Sequence, residues 1–314
     1  MERPRRALIL PGGGARGAWQ AAVLSELARA LDGGAAPTGP PLGFDVILAT
    51  SVGVANAVGL ALGLAPGFPE LWRDCMRSLL WVRPRELLRL RSPFGVGKAA
   101  GELVRRYGDR ERLRAARGRC ELVFTATDYD TGEAVLFSSR DPGWTDDERT
   151  RQFFAAITIP YVTGRPVEIR GRRYCDGGFT RNTPLESALA RGIDEVLIVD
   201  PGPSERAALV GRYGAPVFEA LGRLPFKLAR LLAGVPKSYV DGVEAVAAAG
   251  AGPAGGATGP RVRLVRPSQP LPCGVLDLRP GPVEGALAIG LADGEDLARR
   301  LVRERRRPAP VRPG

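Results

Sequence analysis

The sequence predicts an α/β protein, a three-layer α/β/α sandwich with a central, mostly parallel sheet. Three observations point there. Short apolar runs alternate with segments of helical period, beginning Ala7–Leu10, Ala15–Leu31, Asp45–Ala49 and the Ala/Val/Leu-rich stretch from Ser51. The strand-like runs are apolar throughout rather than alternating, as in a sheet covered on both faces. The chain has 314 residues, 44% of them apolar and 25% charged, enough to bury one large core. No internal repeat and no clean break marks a second independent domain.

Element by element, Ala7 to Leu10 reads as a buried strand ended by Pro11 and Gly12-Gly13-Gly14. From Ala15 the apolar positions Trp19, Val23, Leu24, Leu27 and Leu31 recur at helical spacing. A Gly/Pro-rich loop over 33–43 leads to the strand Asp45–Ala49 and the helix after Ser51. Further strands are expected at Glu121–Thr127, Ala134–Phe137, Val167–Ile169, Val196–Val199 and Val262–Val265. Further helices are expected at Glu70–Trp81, Asp146–Ala156, Pro184–Arg191, Pro216–Ala233 and Gly294–Arg305. Gly250–Pro260 is the best candidate for a mobile loop, and residues 305–314 read as a frayed tail.

One count narrows the chemistry sharply: the chain has no histidine. That excludes Ser-His-Asp hydrolases, Cys-His proteases, HExxH metalloenzymes and His-ligated haem. The four cysteines, Cys75, Cys120, Cys175 and Cys273, lie far apart without CxxC spacing, against a thiolate zinc site or a disulfide-dense scaffold. Catalysis therefore falls to carboxylates, hydroxyls, lysine, arginine or backbone dipoles. The net charge is +11, nearly all from arginine, with lysine only at 98, 227 and 237. A basic balance fits nucleic acid, an anionic membrane surface or plain compositional bias. With aromatic residues at 6% there is little to stack bases on, and no nucleic-acid partner is expected.

Three short pieces carry the candidate chemistry. The first is Gly12-Gly13-Gly14-Ala15-Arg16-Gly17, between a strand and a helix, where a glycine loop can aim backbone N–H groups at an anion. Gly12, Gly14 and Gly17 also satisfy the GxGxxG dinucleotide fingerprint, although the acidic residue that should end the next strand is missing. The second is Ala49-Thr50-Ser51-Val52-Gly53, with the geometry of a nucleophile elbow whose first glycine is replaced by Ala49. Ser51 as a plain helix N-cap is the competing reading. The third is Asp176-Gly177-Gly178, which alone reads equally as a turn.

Together, in this order and with no histidine, the three pieces resemble the patatin-like phospholipases, bacterial branch. Thr125-Ala126-Thr127-Asp128 with Thr131-Gly132-Glu133, the stretch from Ala155 through AAITIPYVTGRPVEIRGRRYCDGG, and Asn182-Thr183-Pro184-Leu185 extend the likeness over residues 7–200. The resemblance implies a catalytic core over 7–200, with 201–304 completing the same domain. It implies a serine acyl hydrolase of lipid esters, phospholipid or lysophospholipid, working through an acyl-enzyme. Ser51 is then the nucleophile and Asp176 the general base and acid. Gly12, Gly13, Gly14 and Ala15 form the oxyanion hole, supported by Arg16, Gly17, Ala49, Gly53, Gly177 and Gly178. No metal or organic cofactor is implied. The alternatives are a catalytically weak lipid-binding relative of the same fold and a Rossmann-type NAD(P) oxidoreductase.

The apolar run at 7–10 is too short for a signal peptide and no stretch is long enough to span a bilayer, so a cytoplasmic protein is expected, with peripheral contact at the inner membrane face. Two amphipathic helices bear on that contact. Leu71, Trp72, Cys75, Met76, Leu79 and Leu80 share one face of the first; Arg223, Lys227 and Arg230 edge the second. Each stripe fits either a core face or a lipid interface.

Overall fold

Alternate residues of each central strand are buried on opposite faces of one eight-stranded sheet, which the computed structural model describes for residues 3–34, 38–79, 110–160, 162–202 and 259–306. The strands are β1 (Arg6–Leu10), β2 (Val46–Thr50), β3 (Glu121–Asp128), β4 (Ala134–Ser138), β5 (Val167–Ile169), β6 (Arg172–Asp176), β7 (Glu195–Val199) and β8 (Arg261–Val265). Five of them, in the order β8-β7-β1-β2-β3, run parallel. β4 and β6 both pair antiparallel with β3, and β5 forms a hairpin with β6. The hairpin turn is Arg170-Gly171, at φ 50° and 75°, the doubly left-handed geometry favoured in two-residue hairpins.

The helices are α1 (Gly17–Leu31), α2 (Val52–Ala61), α3 (Phe68–Leu79), α4 (Arg110–Arg119), α5 (Asp146–Ile157), α6 (Leu185–Leu189) and α7 (Pro280–Arg306). Leu8, Leu10, Ile47, Ala49, Leu122 and Leu197 face the larger core with α1, α2 and α7. Ala7, Ile9, Val46, Leu48, Val123 and Ile198 face the other side against Leu185 and Ala188 of α6. Both faces are covered, which is why these strands carry no polar alternation.

Several elements differ from expectation. α1 begins at Gly17, after a tight 3-10 turn over Gly14–Arg16. The last helix starts fourteen residues before the expected Gly294, because Gly285, Gly290 and Gly294 read as breakers yet serve packing. A side chain at Gly290 would run into the Trp19 carbonyl, and one at Gly294 would meet Val23 and Glu26 of α1 at 2.9 Å. Small residues at this i,i+4 spacing let α7 pack backbone-to-backbone on α1, pinned by Trp19 Nε1 donating to Asp293 (2.7 Å). α4 was not expected, since Ala116 is its only fully buried residue and apolar periodicity is nearly absent. α5 falls where expected and opens on a capping box, Thr145 with Glu148. The expected helix Pro216–Ala233, the end of Glu70–Trp81, the loop 250–258, residues 307–314 and all three lysines lie outside the described residues.

Candidate active site

The site forms where the parallel strands end. β2 stops at Thr50 and the chain turns directly into α2, with Ser51 held at φ 54°, ψ −129°. A non-glycine residue in this left-handed region is strained by about 1–3 kcal/mol. Its hydroxyl makes no capping bond to α2, so the N-cap reading does not describe it. Ala49 does not obstruct the turn, because it lies within β2 with its methyl fully buried. Gly53 is required by contact: a side chain there would collide with the Leu10 carbonyl at the end of β1.

Asp176 ends β6 and is 3% exposed. Its Oδ1 accepts from Gly178 N at 2.7 Å, and its own N–H donates to the Thr158 carbonyl at 2.8 Å. Oδ2 is buried with no hydrogen-bond partner. Burial raises the Asp176 pKa to about 6, and the nearby Ser51 hydroxyl and the Gly178 N–H pull the other way. Ser51 is thus a neighbour of the carboxylate, short of a fully formed hydrogen bond. Gly177 packs so close to the Thr125 carbonyl that a side chain would not fit.

The glycine loop lies beside Ser51: a Cβ on Gly12 would stand 2.8 Å from the Ser51 Cβ. The four expected oxyanion donors separate into two pairs. Gly12 N–H donates to Asn182 Oδ1 (3.0 Å) and Ala15 N–H to the Val275 carbonyl (2.8 Å), so both are already spent. The N–H groups of Gly13 and Gly14 are left. Arg16 is buried and donates to the Gly202 carbonyl, so it shapes the loop. Gly202 N–H in turn donates to Asp200, which also accepts from Arg266 (3.1 Å). Gly17 packs against Val52 at the start of α2.

Sequence reading missed the residues that hold this arrangement from a distance. Gln20 donates to the carbonyls of Pro11 (3.2 Å) and Val199 (2.8 Å), and Asn56 donates to Gln20 (2.8 Å) and to the Gly17 carbonyl (3.1 Å). Only a polar residue inside an otherwise apolar helix face signals them. Val275, whose carbonyl anchors the glycine loop, carries no sequence signal at all.

A cavity of about 470 Å³ opens from Ser51 and Gly14 between α2, α3, α4 and α5. Its walls include Leu62, Phe68, Leu71, Trp72, Phe124 and Phe153. Leu71, Trp72 and Cys75 pack against the larger core and line this space, so the described part of the α3 stripe faces inward. Burial pushes the cavity thiol of Cys75 up to about 11, leaving it protonated and a poor nucleophile. Among the described residues no helix is long and apolar enough to cross a membrane.

Fold and site together define a class: an α/β protein presenting a serine, on a strained strand-to-helix turn, to an apolar cavity. The family model for patatin-like phospholipase matches residues 8–189, more than half of the chain, and the chain belongs to that family, one of lipid acyl hydrolases. The crystal structure of VipD from Legionella pneumophila is similar at 14% identity, covering 96% of this chain and 67% of that one with a TM-score of 0.49. No curated protein matches the chain.

Proposed function

We propose that this chain hydrolyses the carboxylic esters of phospholipids or lysophospholipids through a Ser51–Asp176 dyad. The observation that carries the reading is the strained, uncapped Ser51 beside a buried carboxylate whose Oδ2 is free to take a proton. Ser51 Oγ attacks the ester carbonyl carbon while its proton passes to Asp176, and the carbonyl π pair moves onto oxygen. The Gly13 and Gly14 N–H groups stabilise that oxyanion, at about 3–4 kcal/mol per donor in comparable sites. Collapse expels the alkoxide, which takes the proton back from Asp176, leaving an acyl-Ser51 ester. Water repeats the cycle, losing its proton to Asp176, and the Ser51 alkoxide leaves and is reprotonated. A pKa of about 6 gives Asp176 a proton affinity near the ordinary histidine value of about 6.5, which supports a base role in a chain without histidine.

The test is turnover of a soluble ester. Ser51→Ala, Asp176→Asn and the double variant should all fall to a similar floor, because the pair acts as a unit. Losses that multiply independently would contradict a dyad. We also propose peripheral contact with anionic membranes, resting on the +11 charge; Arg223, Lys227 and Arg230 lie outside the described residues. Liposome cosedimentation should rise with anionic lipid and fall with salt; equal binding to neutral liposomes would contradict it.

A further inference from the structure

The two N–H groups left to meet an oxyanion belong to Gly13 and Gly14, and a pair of glycines does not fix its own direction. Contact fixes it. A side chain on Gly13 would stand 2.7 Å from Pro201 Cγ, and one on Gly14 would run into the Val275 carbonyl. Each glycine is thus backed by a different segment, Pro201 just after β7 and Val275 ahead of α7. The Val275 carbonyl also accepts from Ala15 N–H at 2.8 Å, a main-chain bond that any residue supplies. The Pro201 side depends instead on one side chain, that of Asp200.

Asp200 is 6% exposed and uses both carboxylate oxygens. Oδ1 accepts from Gly202 N–H at 2.9 Å, closing a turn around Pro201 that Gly202 completes at φ 72°. Oδ2 accepts from Arg266 Nε at 3.1 Å, and the Asp200 N–H donates to the Val265 carbonyl at 2.9 Å, where β8 ends. The same turn offers the Gly202 carbonyl to the Arg16 guanidinium. The turn therefore grips the glycine loop twice, through Pro201 on Gly13 and through Gly202 on Arg16. A turn that only ended β7 would need neither grip.

We propose that Asp200 is a positioning residue for the oxyanion hole, setting the direction of the Gly13 and Gly14 N–H groups through the Pro201–Gly202 turn. Its effect passes through the loop and is felt when charge develops on the substrate oxygen, in the transition state rather than in the bound ester. The inference rests on the serine hydrolase reading and adds a residue to its machinery.

The test is turnover of a soluble p-nitrophenyl ester, with thermal unfolding of each protein alongside. Asp200→Ala should lower kcat about 100-fold, the scale of a loop displaced by about 1 Å, and leave KM within about threefold. Asp200→Asn keeps an oxygen for Gly202 N–H, so its kcat should stay within about fivefold of the parent. The acid limb set by Asp176 near pH 6 should not move in either variant, because the base is untouched. Pro201→Ala removes no buried charge and gives Gly13 room to move; it should lower kcat about tenfold with KM held, and it decides the matter if Asp200→Ala does not fold.

A folded Asp200→Ala or Pro201→Ala protein with the parent's kcat would overturn the proposal and leave Asp200 as the end of β7. A raised KM at constant kcat would overturn it in favour of substrate binding. Asp200→Asn losing as much as Asp200→Ala would overturn the route through Gly202. A parent that neither turns over ester nor takes up a fluorophosphonate defeats the hydrolase reading, and the positioning role with it. An active parent with an indifferent Asp200→Ala defeats the positioning role alone.

Discussion

Ser51 and Asp176 meet because both are delivered to the same edge of β3, a strand that carries neither. β2 runs parallel along it until Thr50 pairs with Thr125, and β6 arrives antiparallel so that Asp176 pairs with the next residue, Ala126. β4 occupies the opposite edge through 123–127, so β2 and β6 must share one edge end to end. The elbow turns away where β6 takes over. Residues 125 positions apart in sequence thereby become neighbours, with Thr127 Oγ1 fixing the Asp176 carbonyl at 2.9 Å.

Strain at Ser51 makes a stability prediction that separates elbow from cap. Ser51→Gly should raise stability by about 1 kcal/mol, since glycine takes φ 54° without the penalty, while removing esterase activity. Ser51→Ala should change stability little. If thermal unfolding instead shows Ser51→Ala losing about 1 kcal/mol and Ser51→Gly losing a few tenths, Ser51 is capping α2.

Asp176→Asn should be more stable than the parent near neutral pH. The folded pKa is raised to about 6 from the ordinary carboxylate range, so the fold favours the protonated acid. That contribution is complete below about pH 4 and is lost as pH rises through about 6. The amide never ionises, so the variant should gain up to about 3 kcal/mol above pH 7 and almost nothing at pH 4. Denaturant titrations at the two pH values measure this; a gain independent of pH would contradict it.

The same ionisation should govern rate. Asp176 must be a carboxylate to accept the Ser51 proton, so kcat/KM on a soluble ester should fall tenfold per pH unit below about 6. With no histidine in the chain, no imidazole can supply that limb. A profile flat down to pH 4.5 would place the base elsewhere.

Ala49→Gly tests whether the missing glycine of the elbow matters. The alanine is fully buried in β2, and Ser51 reaches its strained conformation regardless. Activity should therefore stay close to the parent, with stability lower by about 1 kcal/mol from a lost methyl and a freer backbone. A rise of tenfold or more in kcat would show that the methyl holds the elbow off its best geometry.

Legibility in the sequence followed physical locality. Buried strands such as Ala7–Leu10 and Val196–Val199 announce themselves because both faces need apolar side chains. Ser51 and Asp176 were legible because strand-turn-helix and DGG chemistry are written in adjacent residues. Asn182 showed only as part of the family likeness, and its bond to Gly12 spans 170 positions. The occupied N–H of Ala15 was invisible, since its partner is the backbone carbonyl of Val275, which any residue supplies. α7 was read short because glycines that weaken an isolated helix are here the surface that meets α1.

Intact mass after exposure to a fluorophosphonate probe tests the central claim most directly. The parent should gain one phosphonyl adduct, mapped by peptide sequencing to Ser51. Ser51→Ala should gain none, and Asp176→Asn should label far more slowly. An unlabelled parent, or an adduct that persists in Ser51→Ala, would contradict the account.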